Sequence, residues 1–201
     1  MSTYRTVAVV CAGLAALALT ACGEAPATAQ TAAQTAAAAS PADQVARGKT
    51  LVTIGGCHDC HTPKKMGPKG PEPDMARMLM GHPEAEIVTE AFKPQGPWMV
   101  ATTDQLTSWA GPWGISYPAN LTPDTMTGLR SGVWTEALFI QALRTGKHMG
   151  TARDILPPMP WPMIGQMSDD DLKAIWAYLG SIPPVRNHVP DPVPPAGAPT
   201  Q

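Results

Sequence analysis

Several things are scarce in this chain. Basic residues do not exceed acidic ones: 14 Lys and Arg stand against 16 Asp and Glu, a net charge of −2. Phosphate binding needs a dense basic surface, so nothing here points to nucleic acid as a partner. Cysteine is sparse, with 4 in 201 residues: Cys11, Cys22, Cys57 and Cys60. The first two fall near the N-terminus, and one remaining pair is too few for a disulfide framework. It is also half of what a structural zinc cage usually takes, since such cages draw four ligands from two pairs. Long apolar runs are missing. The longest, Val7 to Leu19, has about a dozen residues where a membrane span needs about 20. No internal repeat is visible, and no stretch between Thr62 and Gly132 has the alternation of a strand. Aromatic residues make up only 5% of the chain, and the 6 Trp outnumber the 2 Phe.

Proline, by contrast, is abundant, at 23 residues. A chain this rich in proline, with few helical windows, folds as short helices joined by stiff loops. Such a fold has a thin core, and a large apolar cofactor would offset the shortage. The length suits one domain, or at most two small ones.

The N-terminus reads as an address. Arg5 precedes the Val7–Leu19 run, which has the length of a signal-peptide h-region. It ends in Leu19-Thr20-Ala21-Cys22, which resembles the bacterial lipobox, where the signal is cut before a cysteine that is then lipidated. Residues 1–21 are therefore expected to be a lipoprotein signal peptide, with Cys22 as the lipidation site. An ordinary signal peptide with Cys22 incidental is the alternative. Cys11 lies inside the discarded run. Residues 22–40 carry Ala, Thr and Gln, which suits a flexible tether, a transient helix being the alternative. The folded domain is expected over 41–182, followed by a Pro-rich tail over 183–201 that runs as extended chain over the surface and then frays.

Three helices follow from local chemistry. One spans about Pro41 to Ile54, with Val45, Leu51 and Val52 on its apolar side and Gly55-Gly56 as its stop. A second starts after Thr135 as N-cap, with Trp134 placed to staple onto Phe139, and ends at Gly146. A third follows Ser168, with Asp169, Asp170 and Asp171 in its first turn and Leu172, Ile175, Trp176 and Leu179 at helical spacing. Gly180 is expected at its C′ position, and Met167 is placed to staple onto Leu172.

The motif that carries chemistry is Cys57-His58-Asp59-Cys60-His61. Cys-x-x-Cys-His is the c-type haem attachment pattern. Two intervening residues make one tight turn, so both sulfurs can add across the two porphyrin vinyl groups, and His61 follows as the proximal iron ligand. A plain Cys57–Cys60 disulfide is the bland alternative. His58 is read as solvent-facing. For the sixth iron position Met159 stands out, in Leu156-Pro157-Pro158-Met159-Pro160-Trp161-Pro162. Flanking prolines stiffen the loop, so presenting the thioether costs little ordering entropy. Met163 is its nearest competitor, then His148, then an open site. His/Met ligation fills both axial positions and suits one-electron transfer; an open site suits peroxidase chemistry or gas binding.

The acceptor for the His61 Nδ1–H is expected to be a carbonyl in Pro68 to Pro73. Trp109, Trp113, Tyr117, Asn120 and Arg130 are candidates to bind the haem propionates, with core packing favoured for most of the Trp residues. Lys64, Lys65 and Lys69 either steer an acidic partner or form an ordinary solvated face.

The runs Asn120-Leu121-Thr122-Pro123-Asp124, Thr127-Gly128, Trp134-Thr135-Glu136 and Phe139 to Gly146 resemble class I cytochrome c domains of bacterial dehydrogenase-linked subunits. So do Pro157-Pro158-Met159-Pro160-Trp161, Met167-Ser168-Asp169 and Ala177-Tyr178-Leu179, and the resemblance covers roughly Ala42 to Pro190. It implies an all-α class I cytochrome c fold and one covalent haem c, with Met159 as distal ligand. It further implies an electron carrier rather than an enzyme, on the periplasmic side of the envelope, serving a dehydrogenase or terminal oxidase, either as a free carrier or as a relay in a fixed complex. Related subunits often carry several haem domains, whereas this sequence has one attachment motif. The segment from Gly67 to Tyr117 is long for a minimal domain; it either covers the haem edge or forms a docking surface.

Overall fold

A computed structural model describes residues 39–88 and 95–195. The signal segment, Cys11, Cys22 and the tether up to residue 38 lie outside the described residues, as does the end of the chain from 196. Five helices dominate: α1 (Pro41–Ile54), α2 (Cys57–His61), α3 (Glu136–Thr145), α4 (Trp161–Ile164) and α5 (Asp169–Leu179). None of the described helices is long and apolar enough to cross a membrane.

The helix ends follow the capping chemistry. Ser40, Thr135 and Ser168 each accept a hydrogen bond from the third residue of their own helix, at Asp43, Leu138 and Asp171. Gly146 closes α3 in the left-handed region at φ 69°. Gly180 departs from expectation: at φ −74° it is right-handed. It is small for a different reason, because a Cβ there would lie 2.5 Å from the Arg130 guanidinium. That guanidinium sits 4.9 Å above the Trp176 ring as a cation–π contact.

The core is built on α5. Leu172, Ile175, Trp176 and Leu179 bury with Leu51 and Val52 of α1 and Phe139 and Leu143 of α3. α1 crosses α5 at Gly48, where a Cβ would come within 1.9 Å of the Ala174 carbonyl oxygen. Phe139 meets Trp176 with ring centroids 5.5 Å apart. Trp134 and Met167, placed to staple α3 and α5, pack against this same core.

The fold is not purely α. Two small antiparallel sheets lie in the segment expected to be strandless. One pairs β1 (Lys64–Gly67) with β2 (Gly70–Pro73). The other orders β3 (Ala101–Thr102), β4 (Trp109–Gly111) and β5 (Gly114–Ser116). These strands have two to four residues, too short for alternation to register. Pro71 and Pro73 in β2 suit a strand with one free edge. Architecture and helix placement are consistent with a cytochrome c domain that carries added sheets.

Beyond α5 the described chain is knitted into the domain. Asn187 is buried, donating from Nδ2 to the carbonyls of Met80 and His82, both at 2.8 Å, and accepting from Glu84 N at 2.8 Å. Val193 exchanges both backbone hydrogen bonds with Ile115, at 2.8 and 2.9 Å.

Candidate functional site

After α1 the chain reverses through Gly55 and Gly56, the latter left-handed at φ 67°. A side chain at Gly56 would be strained and would crowd the Asp59 carboxylate at 2.9 Å. The turn releases directly into α2, a single turn of helix. Positions i, i+3 and i+4 share one helix face, so Cys57, Cys60 and His61 fall together. Both thiols are free and half-buried. Burial pushes the Cys57 thiol up to about 11, and burial likewise raises Cys60.

His61 is buried, and its Nδ1 lies 2.8 Å from the carbonyl oxygen of Ala119. A carbonyl only accepts, so Nδ1 carries the proton and the Nε2 lone pair is left for a metal. Burial drags the imidazole pKa down to about 4, against the opposing Ala119 bond, so the ring is neutral at physiological pH. The orienting carbonyl therefore comes from Ala119 and not from the Pro68–Pro73 stretch. A backbone oxygen 58 residues away leaves no mark in the sequence.

Two neighbours have roles other than those expected. Lys64 is buried and turns inward, donating to the carbonyls of His58 at 2.8 Å, Asp59 at 2.9 Å and Thr62 at 2.8 Å. It caps α2 from below instead of steering a partner, while Lys65 pairs across β1–β2 with Glu72 at 3.7 Å and Lys69 stays exposed. His58 is half-buried rather than solvent-facing, with Nδ1 2.9 Å from Thr62 Oγ1, which also accepts from Leu79 N at 3.0 Å.

Met159 is half-buried, and both it and Cys57 pack against the main core. Its competitors are placed differently. Met163 is 65% exposed. His148 sits in a turn after α3, edge-on to Trp134 at 5.1 Å. The loop bearing Met159 is gripped at its start by Ser116, whose Oγ donates to the Pro157 carbonyl at 2.5 Å. Its end is packed where α4 begins, with the Trp161 ring filling the space beside Gly146.

Most of the proposed propionate donors are occupied elsewhere. Trp109 Nε1 donates to Leu106 O at 3.0 Å, and Trp113 Nε1 to Ser116 Oγ at 3.2 Å. Asn120 Nδ2 serves the Val185 carbonyl at 2.9 Å, and Arg130 covers Trp176. Tyr117 stacks on the buried His82 at 4.7 Å. Among the described residues, no three His, Cys, Asp or Glu side chains converge to hold a bare metal ion.

No protein-family model matches the chain. Individual relatives do. A nicotinate dehydrogenase subunit from Pseudomonas putida is 38% identical over 79 residues, 39% of this chain and 6% of that protein. The cytochrome c subunit of the quinone-dependent alcohol dehydrogenase of Gluconobacter oxydans is 37% identical over 83 residues, 40% of this chain and 17% of its own. The cytochrome c subunit of gluconate 2-dehydrogenase from Pantoea cypripedii is 39% identical over 72 residues, 35% and 15% respectively. The chain is partly homologous to cytochrome c subunits of bacterial dehydrogenases. The matched stretch is a small fraction of each relative's length.

Proposed function

We propose that this chain is a mono-haem c-type cytochrome that carries single electrons to or from a dehydrogenase or oxidase of the bacterial envelope. Cys57 and Cys60 would hold the haem through thioethers, with His61 and Met159 as axial ligands. Cys22 would carry the lipid anchor, placing the domain on the periplasmic side. One observation carries the reading: a buried, neutral imidazole, its Nδ1 fixed by Ala119 O, shares one helical turn with two free thiols.

The donor set fits that group. Covalent attachment needs reduced thiols on one face of a short turn, and α2 supplies them. A porphyrin brings four nitrogens of its own, so the protein needs to add only axial donors, not a cage. Bound there, haem supplies an iron that alternates between ferric and ferrous and so accepts and releases one electron. The chain's part is to orient and to exclude. Ala119 sets the tautomer and ring direction of His61. The Pro-flanked loop would present the Met159 sulfur at low ordering cost, and thioether together with imidazole ligation would favour the reduced state. Held by both His61 and Met159, the iron would have no open position for a substrate. The dehydrogenase-linked relatives favour a dehydrogenase as the partner.

Visible spectroscopy tests this reading. The denatured polypeptide should keep a red chromophore and a mass increase of one haem. The ferric protein should show the weak far-red sulfur-to-iron charge-transfer band, and Met159→Ala should abolish it. A colourless denatured chain would refute haem attachment. A missing band in the parent, with rapid carbon monoxide binding to the ferrous form, would replace Met ligation by an open site.

A further inference from the structure

The loop that bears Met159 is poor in its own hydrogen-bond donors. Pro157, Pro158, Pro160 and Pro162 have no N–H, and Met159 N reaches only Leu156 O, at a long 3.4 Å. Such a loop has to be held through its carbonyls, by donors from elsewhere in the fold. One donor is in place. Ser116 Oγ lies 2.5 Å from Pro157 O, two residues ahead of Met159.

Ser116 is itself fixed. It is 7% exposed, at the end of β5, and receives the Trp113 indole N–H at 3.2 Å; its single proton has Trp109 O at 3.4 Å as a distant second acceptor, and the much shorter contact to Pro157 O takes it. The preceding residue, Ile115, is doubly bonded to Val193. The following residues run straight to the other end of the site. Tyr117 stacks on His82, Pro118 O accepts from His82 N at 3.0 Å, and Ala119 O accepts from His61 Nδ1 at 2.8 Å. Three residues apart on one segment, the chain grips both the His61 ring and the Met159 loop.

We infer that Ser116 is a positioning residue for Met159, and that the sheet β3–β5 serves as a brace for the distal loop. The inference rests on the reading of Met159 as the sixth ligand. It assigns a role to the long insertion: the sheet anchors a strut between the two axial ligands.

Carbon monoxide can bind the ferrous protein only after Met159 leaves, so its rate reads the population of the detached loop. In Ser116→Ala, the loss of one partly buried hydrogen bond should raise that rate by about threefold to tenfold and weaken the ferric far-red band on warming. Ser116→Thr, which keeps a hydroxyl, should restore both. Arg47→Ala, which removes the Arg47–Asp171 pair (2.8 Å) between α1 and α5, should leave the rate unchanged, separating ligand positioning from general loss of stability. A Ser116→Ala protein that kept the parent band and a rate within about twofold of the parent would overturn the inference. If Ser116→Ala does not fold, Trp113→Phe decides: it keeps the hydroxyl but frees its orientation, and it should accelerate binding in the same direction. An unchanged rate there would equally overturn the brace. Absence of the band in the parent protein would instead refute Met159 ligation itself.

Discussion

Replacing Lys64 by methionine tests whether the Cys57–His61 turn depends on an inward ammonium. Methionine keeps most of the apolar stem and removes the charge, so packing changes little. Three carbonyls lose a donor: His58 O, Asp59 O and Thr62 O. Their losses differ. His58 O retains a second bond, from Thr62 N at 3.3 Å, whereas Asp59 O and Thr62 O have no other donor among the described residues. Only Thr62 is fully buried, and leaving its carbonyl unpaired costs about 1–3 kcal/mol, whereas Asp59 is exposed and water replaces most of its lost bond. Burial also lowers the Lys64 pKa, with Asp59 and Cys60 opposing, so relief of a desolvated charge offsets some of the loss. A net destabilisation of about 1.5 kcal/mol is expected, or roughly 3–6 °C in Tm for a domain of this size. Urea unfolding followed by far-ultraviolet circular dichroism should show a lower midpoint at unchanged slope. A change below about 0.5 kcal/mol would refute the reasoning, because it would place Lys64 among ordinary surface lysines.

Two further expectations follow from the packing and the turns. Gly48→Ala would gain about 1 kcal/mol in helix propensity were the site open. With a Cβ 1.9 Å from Ala174 O and 2.7 Å from Tyr178 Cβ, it should instead force α1 off α5 and cost about 3 kcal/mol or more, read by thermal melting. Asp124 accepts from Thr127 Oγ1 at 2.8 Å and from the backbone N–H groups of Thr127 and Met126, at 2.7 and 3.0 Å. The Thr127 hydroxyl, foremost among these bonds, holds its carboxyl below the usual range. A depressed folded pKa means the native state binds fewer protons, so this contribution is full above the ordinary carboxylate pKa and fades as pH falls through the folded value. Asp124→Asn should therefore melt lower than the parent at neutral pH, and the gap should shrink on acidification. A gap independent of pH would refute the assignment.

How much of this was legible in the sequence divides along a physical line. α1, α3 and α5 could be read to within a residue because each depends on local chemistry: a capping hydroxyl, a periodic stripe, a terminal glycine. The single turn at Cys57–His61 was legible for the same reason, since the spacing of Cys57, Cys60 and His61 brings them together through the pitch of one helical turn. What escaped depends on partners distant in the chain. Lys64 beside Lys65 and Lys69 looks like one of three equivalent charges, and only the fold turns it inward while Lys65 finds Glu72. Gly180 has the right residue for a left-handed cap, yet its smallness serves Arg130, which lies far earlier in the chain. Ala119 contributes a carbonyl that any residue would carry.

The short strands escaped for a related reason, and their placement explains why the long insertion does not behave as a loose loop. A strand of three residues has no intrinsic stability and exists only where neighbours satisfy its backbone. β5 has β4 on one side and the Ile115–Val193 pair on the other, so it is held from both edges. Gly114, at φ 93°, lets Val193 approach so closely that a Cβ would lie 2.0 Å from its carbonyl oxygen. The chain leaving β5 then has little freedom before it reaches Ala119. The segment from β5 to Ala119 is thus clamped at three places: at the sheet, at the Pro157 carbonyl through Ser116, and at the His61 ring through Ala119.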